Sequence, residues 1–562
     1  MSRIFDISNQ YVEDLAALDP NFATSIGVPG HETELTDYSP EGHAKTAALA
    51  RQVVADVRAA TPEGEPDRIA RDVMVERLDT RLKLYDASEY QRDVKIIGSG
   101  MGAIRGVFDQ MPRNIEQDWR YIAGRLAAVP AALDGYKTSL RQGLAAGKVA
   151  ARRQAMEAAK QAETWSGLKP NTPSFFSAIL DAFDRAGANG SAIAAGGLRT
   201  DLERGVKAAE EAYAAMRTFM LDEYAPKAAE RDASGRERYA MNSLVFNGAD
   251  LDLEDTYRWG WDELYRVEEE IAKTVERIKP GATVAEVMRL LETDPARQLK
   301  TVDEFQSWLQ ELHDQALDQL DGTHFDIDPR IKRVEVMIPP AGGALAPYYT
   351  GPSEDFARPG RTWWPLGSRT TFPKWFQVTT AYHEGVPGHH LQVGAVRCYA
   401  DRLSRYQRTA AFVSGHGEGW ALYAERLMGQ LGYLENSDYY LGMLSAQAMR
   451  CVRVIVDIGM HLELPIPSGD RFHPGETWSH DLALEFAVER ALQPREFMAS
   501  EITRYLGWPA QAISYKVGER YWLTAREAAK KRRGANFNTK SFHTKALMLG
   551  PMGLAQLEKE LA

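Results

Sequence analysis

Residues 381–392 read AYHEGVPGHHLQ. His383 and Glu384 open like the helix of a zinc hydrolase. There, histidines at i and i+4 hold the ion and the glutamate beside the first acts as general base. Here Pro387 stands at i+4, and His389 and His390 follow at i+6 and i+7. Zinc takes about four N, O or S donors at roughly 2.0–2.3 Å, and a catalytic site keeps one position for water. Proline offers none of these donors, so the second ligand is His389 or His390.

On an ideal helix His390 faces the same side as His383 but lies about 10.5 Å along the axis. His389 faces away. This helix is not expected to be ideal. Pro387 has no N–H to bond the carbonyl of residue 383, and its ring crowds that carbonyl. Gly385 and Gly388 remove side-chain restrictions on either side. A two-residue swelling of the turn brings His389 to the place of i+4, as bulges do at many functional sites. The geometry favours His389, with His390 the alternative and otherwise a supporting neighbour.

A third ligand is expected from a neighbouring helix. The stretch 414–432, SGHGEGWALYAERLMGQLG, offers Glu418 near its start and Glu425 on the same face two turns later. Glu418 is read as the ligand and Glu425 as support that orients a ligand histidine. His416 is read as a loop or cap residue. His-Glu, breakers, His-His and then Glu-Gly-Trp about 30 residues on is far more specific than a bare His-Glu pair.

The elements that must carry these residues are mostly helices. In 202–220 the apolar positions Leu202, Val206, Ala209, Tyr213, Met216 and Met220 are spaced 4, 3, 4, 3, 4, one buried stripe. A second stripe, Leu264, Val267, Ile271, Val275 and Ile278, stops at Pro280-Gly281. The segments 61–67 and 164–174 read as loops. The exception is 331–366. There IKRVEVMIPP, GGALAPYYTGP and RPGRTWWPLG alternate or carry aromatic cores between Pro and Gly breakers, and predict a small sheet just before the His383 helix. An exposed strand of it could pair with an extended peptide. Trp363 and Trp364 either serve that surface or pack in the core.

The 562 residues are 44% hydrophobic and 26% charged, ordinary for a globular protein with a large core. A formal net charge of −11 argues against a nucleic-acid partner. No apolar run of about 18 residues occurs, so no membrane span is expected, and no secretory signal is visible at the N-terminus. Cys398 and Cys451, the only cysteines, make no disulfide framework. A cytoplasmic setting is the expectation.

The residues HEGVPGHHLQ and GEGWALYAERLMGQLG resemble the bacterial family of unknown function DUF885. So do ALDPNFATSIGVPGHETELTDYSPEG, RPGRTWWPLG, MRCVRVIVDIGMH and PAQAISYKVGER, so the resemblance spans nearly the whole chain. That family is similar to the helical zinc peptidases with a glutamate third ligand, among them thimet oligopeptidase, angiotensin-converting enzyme and the Thermus carboxypeptidase. The resemblance implies a mainly α body with a deep channel. It makes Glu384 the base and Glu418 the third ligand. It favours His389, because Gly388-His389 matches the Gly-His pair of those peptidases. The longer gap between histidines is a departure; dipeptidyl peptidase III tolerates one extra residue. A late-helix tyrosine that hydrogen-bonds the oxyanion is implied, with Tyr515 preferred and Tyr505 the other candidate, placed with the substrate.

Arg453, Asp457 and His461 stand at i, i+4 and i+8 on one helical face. They read as a surface ion pair with a polar cap, or as a site network: Arg453 for a substrate carboxylate, Asp457 in support, His461 at the oxyanion. His480 reads as a helix-start residue. The expected architecture is a helical N-terminal part, 1–330, forming one wall of the channel, and a part 331–562 with the small sheet and the zinc-binding helices. The expected activity is zinc-dependent hydrolysis of short peptides, with no membrane partner. The alternatives are a zinc amidohydrolase of a small non-peptide amide, or a peptide-binding protein with a decayed site. Glu384 argues against decay, since a carrier needs no general base.

Overall fold

The computed structural model describes residues 2–188, 196–339, 346–353 and 355–561. Pro340 and the glycines at 342 and 343, read above as breakers around the strands, lie outside them. The chain is mainly α, 68% helical, about twice the share in an average globular domain. It divides into two compact units.

The first unit comprises Met1–Glu63, Leu78–Ser234 and Ser500–Pro509. Its core is apolar. Helix Glu116–Ala146 packs on Gly196–Thr218, with Arg152–Trp165 alongside. Leu202, Val206, Ala209, Tyr213, Met216 and Met220 are all buried, as the spacing predicts. Fully burying one such side chain is worth about 1.5–3 kcal/mol. A Cβ at Gly205 would press on Leu126 at 2.7 Å, so these two helices cross where one lacks a side chain.

The second unit comprises Gly64–Arg77, Gly235–Ala499 and Ala510–Ala562. The boundary expected at residue 331 falls inside it. Helix Leu253–Ile278 buries Leu264, Val267, Ile271 and Val275, leaves Ile278 half-buried, and is capped at Lys279, next to Pro280. It packs on Ser437–Leu462, hereafter the Arg450 helix. The Glu418 helix, Ser414–Gln430, packs on the Tyr515 helix, Ser514–Arg533. Gly419 meets Gly518 at that crossing, where an added Cβ would run into backbone. Sequence reasoning did not weigh these glycines, although they set how deeply Glu418 is carried into the unit.

Strand Gly360–Trp363 is central in a three-stranded sheet. It pairs parallel with Val334–Met337 and antiparallel with Tyr348–Thr350, Tyr349 opposite Thr362. Trp364 is buried against Phe305, Leu309 and Phe372, a core residue. Trp363 stacks on Tyr348, and its Nε1–H donates to Thr350 at 2.9 Å.

Candidate metal centre

The His383 helix, Gln377–Glu384, stops at Glu384, and a new helix, His389–Cys398, starts at His389. The sequence predicted one swollen helix; the chain instead breaks and restarts. Gly388 N–H donates to the Tyr382 carbonyl, six residues back, at 3.0 Å, and His390 N–H to the Gly385 carbonyl at 3.0 Å. The Val386–Pro387 peptide is cis. A Cβ at Gly388 would collide with the His383 carbonyl, and one at Gly385 with the His313 ring. Only glycine lets the chain close this tightly. Trp420 Nε1–H, from the Glu418 helix, donates to the Pro387 carbonyl at 2.9 Å and holds the break.

The closure brings the His383 and His389 rings to 4.9 Å between centroids, nearly perpendicular at 88°. Glu418 Oε2 lies 3.4 Å from His383 Nε2 and 3.5 Å from His389 Nε2. One donor atom from each of the three residues falls within 4.8 Å of the others. Donors at about 2.1 Å around a tetrahedral ion are about 3.4 Å apart, so two of the three edges fit zinc.

His383 Nδ1 donates to Glu425 Oε1 at 2.8 Å, and Thr379 donates its hydroxyl to Glu425 Oε2. The Nε2 lone pair is thereby turned toward Glu418. Such a carboxylate fixes tautomer and ring orientation of a ligand histidine. Burial alone would lower the His383 pKa; Glu418 and Glu425, one at each ring nitrogen, outweigh it and push it up to about 10. Burial opposes ionisation of Glu418 too, but the two histidines hold it well below the usual carboxylate range. The cluster thus calls for positive charge between Nε2 and the carboxylate, which a proton or a divalent ion satisfies. The donor set and its spacing fit a zinc ion held by His383, His389 and Glu418. Glu384 is buried beside them; desolvation raises its pKa against the pull of His383 and His389.

His390 sits in the core instead. Its Nε2 lies 2.8 Å from the Ile331 carbonyl, which can only accept, so Nε2 carries the proton. Nδ1 then accepts from the Tyr349 hydroxyl at 3.0 Å. Both nitrogens are used, and burial holds the pKa down at about 4.

Other candidates are placed as follows. His461 is fully enclosed, 3.6 Å from Asp457 Oδ1 and beside the Tyr239 ring. Asp457 Oδ2 accepts from the Tyr239 hydroxyl at 2.7 Å and from Ala510 N–H at 3.0 Å. These two residues do not join the metal grouping. Their helical face is shared with Arg453, but eight residues carry His461 about 12 Å further along the axis, and its imidazole has no open side toward a substrate. Tyr505 belongs to the first unit, buried, with its hydroxyl donated to Glu501 at 2.7 Å. Tyr515 is half-buried, with the Arg453 guanidinium 4.7 Å from its ring centre. His416 lies inside the Glu418 helix rather than in a loop, and Gln392 donates to its Nδ1 at 3.1 Å. His480 is the first residue of helix His480–Arg490.

Three contributors escaped the sequence reading: Thr379, Trp420 and Arg450. Thr379 is one turn before His383, a spacing that signals a shared face. Arg450 stands one turn before Arg453 in the same family-like stretch.

The family profile described as bacterial protein of unknown function (DUF885) matches residues 20–561. This chain belongs to that family. No curated protein matches it. A crystal structure of a Colwellia psychrerythraea protein provisionally named a lipoprotein superposes with a TM-score of 0.85 at 22% identity, covering 99% of this chain and 98% of that one. A Shewanella oneidensis protein of unknown function, with the same provisional name, gives 0.74 at 17% identity, covering 100% and 99%. At these identities the likeness is one of fold. Among the described residues no helix is long and apolar enough to cross a membrane.

Proposed function

We propose that this DUF885 protein is a zinc-dependent peptidase acting on short peptides. The observation that carries the reading is the placement of His383 Nε2 and His389 Nε2 at 3.4 and 3.5 Å from one Glu418 oxygen, with Glu384 buried alongside. His383, His389 and Glu418 would hold the ion. Bound there, zinc supplies a Lewis acid that polarises a carbonyl and makes water more acidic at neutral pH.

The chain's own residues do the rest. Glu425 and Thr379 keep His383 in one tautomer. Glu384, its pKa raised by burial, suits a group that takes a proton from water and returns it to the departing amine. The Tyr515 phenol, flanked by guanidinium groups, stands as donor to the developing oxyanion. A cytoplasmic setting fits Cys398 and Cys451, both free and buried; the lipoprotein name belongs to the solved relatives.

The test is zinc per chain by elemental analysis, on protein purified without chelator or added metal, beside His389→Ala and His390→Ala. The expected result is about one zinc in the parent and in His390→Ala, and a loss in His389→Ala. A parent chain that takes up no zinc even when it is supplied overturns the reading. Loss with His390→Ala alone overturns the ligand set.

A further inference from the structure

The Arg450 helix packs against the His383, Glu418 and Tyr515 helices. Its Arg450 has few partners among the described residues. Among the described residues its side chain makes one hydrogen bond, a long one, Nη1 to the Ala446 carbonyl at 3.5 Å. Its Nε is shut off from solvent and has no hydrogen-bond partner among the described residues. No described carboxylate lies within ion-pair distance of it, although its charge is felt by Glu384, Glu418 and Glu425. Its guanidinium instead lies 5.7 Å from the centre of the Tyr515 ring, which Arg453 approaches to 4.7 Å.

Two like charges one turn apart on a shared phenol repel each other. The Arg450 pKa is accordingly lowered, by burial first and by Arg453 second. Elsewhere in this unit buried cations are matched. Lys516 has Glu519 and Glu263, Arg426 has Glu519, and Arg490 has Glu268 and Asp470. A guanidinium offers five N–H donors in a planar fork that fits a carboxylate with two parallel bonds. Arg450 has no such match among the described residues and is only half-buried, so its remaining donors are left for an anion from outside.

We propose that Arg450, with Arg453 beside it on the Tyr515 ring, anchors the C-terminal carboxylate of the bound peptide and so confines cleavage to bonds near that terminus. This rests on the peptidase reading for its substrate, but the anchor is tested by binding alone. The zinc-loaded chain carrying Glu384→Gln is titrated calorimetrically with tetra-alanine free acid, with its C-terminal amide, and with an amidated peptide bearing one glutamate side chain. The expected result is about 10–100-fold tighter binding of the free acid than of the plain amide, the range of a hydrogen-bonded charge pair. That ratio falls to near one in Arg450→Gln and recovers in part in Arg450→Lys.

Equal affinity for acid and amide overturns the proposal, and needs no Arg450 variant to be seen. An unchanged ratio in a folded Arg450→Gln chain overturns it as well. Tight binding of the glutamate-bearing amide but not of the free acid overturns the C-terminal assignment in favour of an acidic side chain. Binding of neither peptide overturns anchor and peptidase reading together. A preserved acid preference in a parent chain that hydrolyses nothing leaves the anchor standing and removes the peptidase reading.

Discussion

Two buried polar clusters share the Glu418 and Arg450 helices, and they differ in completeness. In the first, Lys516 Nζ reaches Glu519 Oε2 at 2.6 Å and Glu263 Oε1 at 2.8 Å, and also Gln447. Arg426 meets Glu519 at 2.7 Å, and Arg266 grips Glu263 with two bonds. Every charge there has an opposite. Burial opposes ionisation throughout, yet Arg266 and Lys516 hold Glu263 well below the usual carboxylate range, and Glu519 raises Lys516. The second cluster gathers Glu384, Glu418 and Glu425 around two histidines, with Arg450 nearby and unmatched. It is short of a cation at its centre and of an anion at its edge. The difference is one of partnering rather than of burial: the charges of both clusters are buried, but only in the first does each meet an opposite.

The comparison breaks most visibly at Glu384. Glu384→Gln removes the proposed base without touching a ligand. Peptide hydrolysis is expected to fall about 10²–10⁴-fold, with zinc per chain unchanged. Unaltered turnover with the zinc retained would show that another group moves the proton.

The next effect is on stability. Lys516→Met leaves Glu263 and Glu519 with less positive charge in a buried place. Breaking such a pair by removing one partner costs about 3–5 kcal/mol. Denaturant unfolding of the zinc-free chain should show a loss of that order. A loss below about 1 kcal/mol would mean the first cluster is no more complete than the second.

A smaller effect comes from a cluster complete in the neutral state. His543 Nε2 accepts from the Tyr423 hydroxyl at 2.7 Å, and Nδ1–H donates to the His324 carbonyl at 3.0 Å. Burial holds its pKa down at about 4, against about 6.5 unfolded. Between those values the unfolded chain binds the extra proton. The stabilisation is therefore whole above about pH 6.5 and is lost as the pH falls toward 4, by at most about 3 kcal/mol. His543→Gln should flatten the pH dependence of unfolding by that one proton. An equal slope in parent and variant would place the titrating groups elsewhere.

Much was legible in the helices. The stripe at 202–220 is buried as its spacing requires, and so is that from Leu264 to Val275, with Ile278 at the helix end half-buried, because an apolar face at period 3.6 has only one way to leave water. The strands at 334–337, 348–350 and 360–363 lie where alternation and breakers put them. The joint after Glu384 was legible only in kind. Proline and two glycines announce an interrupted turn, but a bulge and a full break differ in hydrogen bonds six residues apart. Those depend on His313 and Trp420, both distant in sequence.

The sequence by itself put His383, Glu384 and two further histidines into one short stretch, and determined the helical class and the position of the small sheet. These follow from local chemistry and local periodicity. Between the two histidines the sequence leaned to His389, and tertiary structure is what seats that one beside His383 and Glu418. It gave both nitrogens of His390 to Ile331 and Tyr349 and turned His389 toward Glu418. It also enclosed His461, which the helix-face argument had left open, and left Arg450 without a mate. Which hydrogen bonds a buried polar group makes is settled by whatever packs against it, and those partners come from helices far apart in the chain.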